Sequence, residues 1–288
     1  MEEGETSTTM MKRRAQCDCW MIATIDCGNT HAKIRIRSMG DMKKRIYGDK
    51  EGDDDEKDIR IVKTASLTTI AKLGSVNLIV LCSVVPLATM EIRKFADNRG
   101  IRVVSEPTLE TCASLGLRVC YASPSRLGKD RLAAALYAHH LCNSRSDIDA
   151  VVIVDAGTAV NVEVVTKDKG YLGGAILPGL GMMSSSLQTG TAQLNISSTD
   201  LPKHAIGTST ESCLQSGVVL GFLGAVERVV ERIVQDLARL RGDKKESSLV
   251  LSSGGDGQFV CDNLECVGAF RASLVLDGIE RSYLGSLE

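Results

Sequence analysis

Residues 19–37, CWMIATIDCGNTHAKIRIR, and residues 150–165, AVVIVDAGTAVNVEVV, follow one plan. In each, an apolar β-rich run ends in a D-x-G turn and a second strand-like run follows at hairpin spacing. Cys19–Ile25 reads as a buried strand, and Ala32–Arg37, which alternates apolar and charged residues, as a half-buried one. Asp26-Cys27-Gly28-Asn29-Thr30 is the turn between them. The second copy sets Ala150–Val154 and Val160–Val165 around Asp155-Ala156-Gly157-Thr158. A single D-x-G-T is a common hairpin turn. Two copies, each after a buried strand and about half a chain apart, point instead to two related halves around one cleft.

Working outward, Leu78–Cys82 reads as another buried strand, Glu91–Asn98 as a helix and Ile101–Val104 as a short strand. Lys129–Leu141 is rich in strong helix formers, and the polar Asn143–Asp149 that follows is the best domain boundary. Gly170–Gly190 is glycine-rich, Cys213–Leu240 carries apolar residues at helical spacing, and Leu249–Ser253 is a strand entering Gly254-Gly255. This gives an extension over 1–20, a first domain over 21–145 and a second over 146–288.

The 288 residues hold 34 Lys+Arg against 36 Asp+Glu, a formal net charge of −2, which argues against a bulk electrostatic nucleic-acid binder. With 43% hydrophobic residues the chain can build a core. Its 27 glycines stand against 1 Trp, 5 Tyr and 4 Phe, which makes base-stacking platforms unexpected. The ten cysteines are scattered without a C-x-x-C pair, and the apolar stretches fall short of the roughly 20 residues that span a bilayer. The expectation is a reduced, cytoplasmic protein without a membrane or nucleic-acid partner. Cys17 and Cys19 have no His/Cys cluster nearby to complete a metal site, and Asp49–Lys57 reads as a solvated charged loop.

Tight glycine turns present backbone amides and hydroxyls to phosphate oxygens without a bulk positive charge. Thr30 and Thr158 add hydroxyls and Lys33 a cation. Asp26 and Asp155 would be repelled by phosphate, so their chemistry is to hold a bridging cation or its water shell. A Walker A loop and a G-x-G-x-x-G are both missing. At the start of a helix, Gly128-Lys129-Asp130-Arg131 offers free N–H groups, a guanidinium for a carboxylate and a carboxylate able to take a hydroxyl proton. Asp130 reads equally well as an ordinary acid at a helix N-terminus.

Taken in order, these motifs resemble the type III pantothenate kinases of the acetate/sugar kinase, actin-like superfamily. The resemblance rests on Asp26–Thr30 with Lys33; Ser83-Val84-Val85-Pro86; Tyr121-Ala122-Ser123-Pro124 leading to Gly128–Arg131; and Asp155–Ala159. It continues through Gly173–Gly179, Gly190-Thr191-Ala192, Gly207–Thr210 and Gly254-Gly255. It implies an α/β, two-domain actin-like (ribonuclease H-like) fold with duplicated βββαβα-type halves. It also implies a homodimer that phosphorylates pantothenate with ATP and Mg2+ in the first step of coenzyme A synthesis.

By the same resemblance, Asp26, Cys27, Gly28, Asn29, Thr30, His31, Ala32 and Lys33 would line the ATP phosphates with Thr158. Asp155 would hold a monovalent cation, K+ or NH4+. Gly128, Lys129, Asp130 and Arg131 would bind pantothenate with Asp130 as proton acceptor, joined by Tyr121 and by Thr210, the latter across the dimer. The chain departs from the pattern at Val160-Asn161-Val162-Glu163, where G-T-A-x-T-x-D is usual, and at Asn195, where proline is common. The alternative implied by some relatives is a regulatory accessory protein of the same fold, and the 160–163 stretch is the feature that leans that way.

Overall fold

The computed structural model describes residues 18–47, 58–64, 76–190, 198–241 and 248–287. The extension up to residue 17, the acidic Asp49–Lys57 and Asn195 lie outside them. The chain sorts into two compact units that interleave in sequence. One draws on Met1–Gly116, Ser125–Tyr137 and Ser273–Glu288, the other on Leu117–Pro124 and Ala138–Ala272.

In chain order the elements are β1 (Met21–Cys27), β2 (His31–Ser38), α1 (Met39–Tyr47), β3 (Ile59–Lys63), β4 (Leu78–Ser83), α2 (Pro86–Asp97), β5 (Arg102–Ser105), α3 (Leu109–Ser114) and α4 (Lys129–Ser144). There follow β6 (Ala150–Ala156), β7 (Ala159–Thr166), β8 (Gly170–Pro178), α5 (Leu180–Gly190), α6 (Thr210–Arg241), β9 (Ser248–Ser253), α7 (Gly257–Asn263), β10 (Ala269–Phe270) and α8 (Leu274–Gly285).

The two sheets share one topology. The first runs β3-β2-β1-β4-β5 and the second β8-β7-β6-β9-β10, each an antiparallel three-strand meander followed by two strands parallel to its first. The duplication read from the two D-x-G turns is therefore present as a repeated ribonuclease H-like sheet. This is the two-domain actin-like α/β fold.

In the first unit β1 is closed on both sides. Ala23 and Ile25 join Ile34, Ile79 and Leu81 in a core with Ala88, Ile92 and Ala96 of α2, whose Pro86 takes the first helical position, where a missing N–H costs nothing. That start lies five residues before the one expected from sequence. The other face is covered by α8, which packs on β1 and β4. Sequence reading gave no element over Leu274–Gly285, yet most of this helix is buried. A Cβ on Gly278 would collide with the Ala133 backbone, so this glycine sets how closely α8 approaches α4.

The cover of α8 also corrects the reading of β2 as a half-buried strand with charges turned to solvent. Arg35 is 0% exposed, and Arg37 is buried as well. Arg35 Nη1 donates to Asp277 Oδ1 at 2.6 Å and lies 3.4 Å from Glu280 Oε1, while Arg45 Nη2 donates to Asp277 Oδ2 at 3.2 Å. Thr24 donates to Glu280 at 3.2 Å. Burial alone would raise the Asp277 pKa, but Arg35 and Arg45 together hold it below the ordinary carboxylate value. For Glu280, burial outweighs Arg35 and lifts the carboxyl above its ordinary value.

In the second unit, β6 and β7 contribute Val152, Val154, Val160 and Val162 to a core with Val219, Phe222, Val226 and Val230 of α6. By length and composition α6 could cross a membrane; in this fold it is a partly buried core helix that packs on α5 and β8.

Candidate active site

The first hairpin closes over Gly28-Asn29-Thr30, with the Gly28 N–H donating to the His31 carbonyl at 3.1 Å. Its turn is held from the side by Thr64, whose hydroxyl donates to the Gly28 carbonyl at 2.7 Å and whose N–H donates to the Thr30 carbonyl at 3.0 Å. Just past β4, the Val84 N–H reaches the Cys27 carbonyl at 3.2 Å, which explains the place of Ser83-Val84-Val85-Pro86 among the motifs. Asn29, Thr30 and His31 are exposed, and Asp26 and Lys33 partly so. The Cys27 and Ala32 side chains turn into the core, which leaves only their backbone to face a ligand.

Register puts Lys33, Asp26 and Cys82 side by side on β2, β1 and β4, on one face of the sheet. Asp130 stands in the first turn of α4, in the same unit. Burial pushes the Cys82 thiol well above its ordinary pKa, and the Asp26 and Asp130 carboxylates push it further. Both acids thus act electrostatically on a single buried thiol. Cys27 is likewise raised by burial, against hydrogen bonds to Ser83 and Thr64, so neither thiol is a nucleophile at neutral pH.

Asp130 Oδ1 accepts the Arg131 N–H at 2.8 Å and curls over Gly128, where a Cβ would run into it. Gly128 therefore leaves room for the carboxylate. Lys129 points elsewhere: its ammonium donates to Ser105 Oγ at 3.2 Å and to the Pro107 carbonyl at 3.1 Å, tying the start of α4 to the end of β5.

In the second unit the equivalent row is Asn161, Asp155 and Ser253 on β7, β6 and β9. The turn is one residue tighter, with the Gly157 N–H donating to the Ala159 carbonyl at 3.0 Å. Two glycines from other elements press against it. The Gly179 N–H donates to the Thr158 carbonyl at 3.2 Å, and a Cβ there would collide with the Gly157 and Thr158 carbonyls. Gly254, at φ 90°, packs on the Ala156 backbone, and the Asp256 N–H donates to the Ala156 carbonyl at 2.9 Å. The Asp256 carboxyl is raised by burial. The Ser253 hydroxyl is fully buried without a protein hydrogen-bond partner. A carboxylate flanked by an amide and a buried hydroxyl is a hard oxygen donor set, which fits a hard cation at Asp155.

The structure thus gathers Asp26–Lys33 with Asp130 in the first unit. It places Asp155, Thr158, Tyr121 and the exposed Thr210, first residue of α6, in the second. Gly128–Arg131 belong to the first unit. Sequence reasoning missed Gly179 as a close-packing position, Asp256, and Tyr171 beside Tyr121. Pro-Gly and Gly-Gly-Asp were visible as turn signals; that they abut the second turn depends on pairings distant in sequence.

A profile of the type III pantothenate kinases matches residues 22–232, well over half of the chain. The chain belongs to the type III pantothenate kinase family. It is 31% identical over 281 residues to the type III pantothenate kinase of Legionella pneumophila (strain Corby), covering 90% of this chain and 96% of that protein. It is 29% identical over 264 residues to that of Finegoldia magna, covering 90% and 95%. Among solved structures it is similar to a Campylobacter jejuni protein assigned to the Baf family of transcriptional activators. The TM-score is 0.54, with 16% identity over 93% of this chain and 98% of that one. At that identity the likeness concerns the fold alone.

Proposed function

We propose that this chain phosphorylates pantothenate with ATP to give 4'-phosphopantothenate, the first step of coenzyme A synthesis, with Asp130 as proton acceptor. The observation that carries the reading is a phosphate-type hairpin with Lys33 in register beside Asp26, in the same unit as Asp130 at the start of α4, in a member of this kinase family.

The primary hydroxyl of pantothenate gives its proton to the Asp130 carboxylate as its oxygen bonds to the terminal phosphorus of ATP. The bond from that phosphorus to the bridging oxygen breaks, and ADP leaves. Because such transition states are loose, placement matters more than basicity, and a carboxylate suffices as acceptor. The amides of Gly28–Thr30 and the Lys33 ammonium take the phosphate charge, with Thr158 a further donor. Arg131 is suited to the pantothenate carboxylate, and Tyr121 and Thr210 are further contacts. Lys129, held by Ser105 and Pro107, acts by fixing the start of α4.

Magnesium enters with ATP, and Asp155, Asn161 and Ser253 would hold K+ or NH4+, which supplies positive charge beside the phosphates. The 160–163 departure keeps polar groups, since Asn161 stands beside Asp155 and Glu163 is hydrogen-bonded to Tyr171, which favours the kinase over an accessory role. A homodimer fits an exposed, largely small and apolar face on α6, with Gly217, Leu220, Gly221 and Gly224, where Met183 of α5 lies against Gly221. Buried free thiols at Cys27, Cys82 and Cys112 fit the cytoplasm.

The test is a coupled ADP-release assay with and without pantothenate. Pantothenate-dependent turnover is expected, falling when Na+ replaces K+ and NH4+. ADP release indifferent to pantothenate overturns the acceptor, and turnover indifferent to the cation overturns the role of Asp155. Light scattering at the mass of a single chain would overturn the dimer.

A further inference from the structure

Beside Tyr121 the second unit buries a carboxylate that the reaction as described does not use. Glu163 on β7 is 1% exposed, and the wholly buried Tyr171 on β8 donates its hydroxyl to Glu163 Oε2 at 2.6 Å. That length is typical of a hydrogen bond to a charged acceptor. Tyr171 is also tied by both backbone groups to the segment that leads to Tyr121. Its N–H donates to the Arg118 carbonyl at 2.9 Å, and its carbonyl accepts the Cys120 N–H at 2.8 Å. Gly170, at φ 79°, makes the approach possible, since a Cβ there would collide with the Arg118 carbonyl.

Tyr121 follows directly. Its ring centroid lies 6.1 Å from that of Tyr171, with the planes tilted by 46°. A second neighbour is Gly173, at φ 103°, where a Cβ would lie 3.4 Å from the Tyr121 ring. The Tyr121 ring is thus seated on Tyr171 and on a position that lacks a side chain. Stability alone does not account for a carboxylate here. Burying one costs several kcal/mol unless it is bonded, and an apolar pair of the same shape would hold the core about as well.

We propose that Glu163 and Tyr171 form a positioning pair for Tyr121, fixing the orientation in which its ring meets pantothenate. The inference rests on the reading of Tyr121 as a pantothenate contact. The Glu163 carboxylate locks the Tyr171 ring through its hydroxyl, and the locked ring sets the seat of Tyr121. Pantothenate recognition, and not ATP handling, is what the pair controls.

The experiment measures kcat and the separate KM values for pantothenate and ATP in Y121F, Y171F, E163Q and the double variant Y171F/E163M, with a melting curve for each. In Y171F the pantothenate KM is expected to rise about tenfold, the equivalent of one hydrogen bond to a charged group, with the ATP KM unmoved. E163Q still accepts the Tyr171 hydroxyl and should recover most of that loss. The double variant removes both polar partners, so its melting temperature should return toward wild type while its pantothenate KM stays high. A wild-type pantothenate KM in Y171F, an effect confined to kcat, or recovery of both KM and melting temperature in the double variant would overturn the pair's role. If Y121F leaves the pantothenate KM unchanged, the underlying reading of Tyr121 fails. A raised KM in Y121F with none in Y171F rejects the positioning pair alone.

Discussion

The two hairpins share strand order, register and an aspartate at the same place, yet their turns are held in different ways. The first row is Lys33–Asp26–Cys82, in which an ammonium neighbours the carboxylate; the second is Asn161–Asp155–Ser253, in which neutral oxygens do. The first turn is tied by hydrogen bonds from Thr64 and Val84, and its sheet is backed by buried charges from α8. The second is tied by hydrogen bonds from the Gly179 and Asp256 N–H groups and is also pressed by the backbone at Gly179 and Gly254. One repeated plan is thus backed by buried charge pairing behind its first sheet and by close backbone packing at its second turn. The same fold position can carry a cation of its own or a site suited to a borrowed one.

The sharpest test of this contrast is D130N, which removes the proposed proton acceptor of the first unit and leaves both hairpins intact. Turnover should fall by about 10²–10⁴-fold with ATP binding retained, as measured by single-turnover kinetics and nucleotide titration. A wild-type rate would strip the first hairpin of its catalytic partner.

Next is D277A, which leaves Arg35 buried opposite a lost carboxylate and should cost about 3–5 kcal/mol in urea unfolding. The pH dependence follows from the directions of the two shifts. Asp277 is lowered, so its contribution is present above about pH 4 and is lost as pH falls through its folded value. Glu280 is raised, so its contribution is present on the acid side and is lost as pH rises through its folded value. E280Q, neutral at every pH and able to accept from Thr24, should therefore be tolerated at pH 7 far better than D277A. Equal losses in the two variants would reject the division of labour between the two acids.

G254A probes the packing side of the contrast. A side chain at positive φ, driven into the Ala156 backbone, should cost about 1–3 kcal/mol and raise the KM for ATP. The smallest effect belongs to G28A in the first turn. There the new Cβ meets only the His31 carbonyl at 3.4 Å, so the loss should stay below about 1 kcal/mol. If G28A proves as damaging as G254A, the two turns are not held differently after all.

Much of this was legible in the sequence because it is local. The two D-x-G turns, the strands around them and the Gly-Gly turn after β9 each announce themselves within a dozen residues. The charged alternation of β2 misled, since alternation reports a solvent-facing side only when nothing covers it, and α8 arrives more than 230 residues later to do so. The seating of Tyr121 was illegible for the same reason, since Tyr171 is 50 positions away and reaches it through a one-residue bridge. The ties of Lys129 were illegible too, since its ammonium donates to Ser105 and Pro107, more than twenty positions earlier in the chain.

The last helix also has a consequence for the order of events at the ribosome. The strands of the first unit emerge earliest, but Arg35 meets its counter-charges only when Leu274–Gly285 has been made. Residues 138–272 carry all five strands of the second sheet and need nothing further from the chain to pair them. A growing polypeptide would therefore complete its second unit first and return, with the twelve residues of α8, to close the unit it began with.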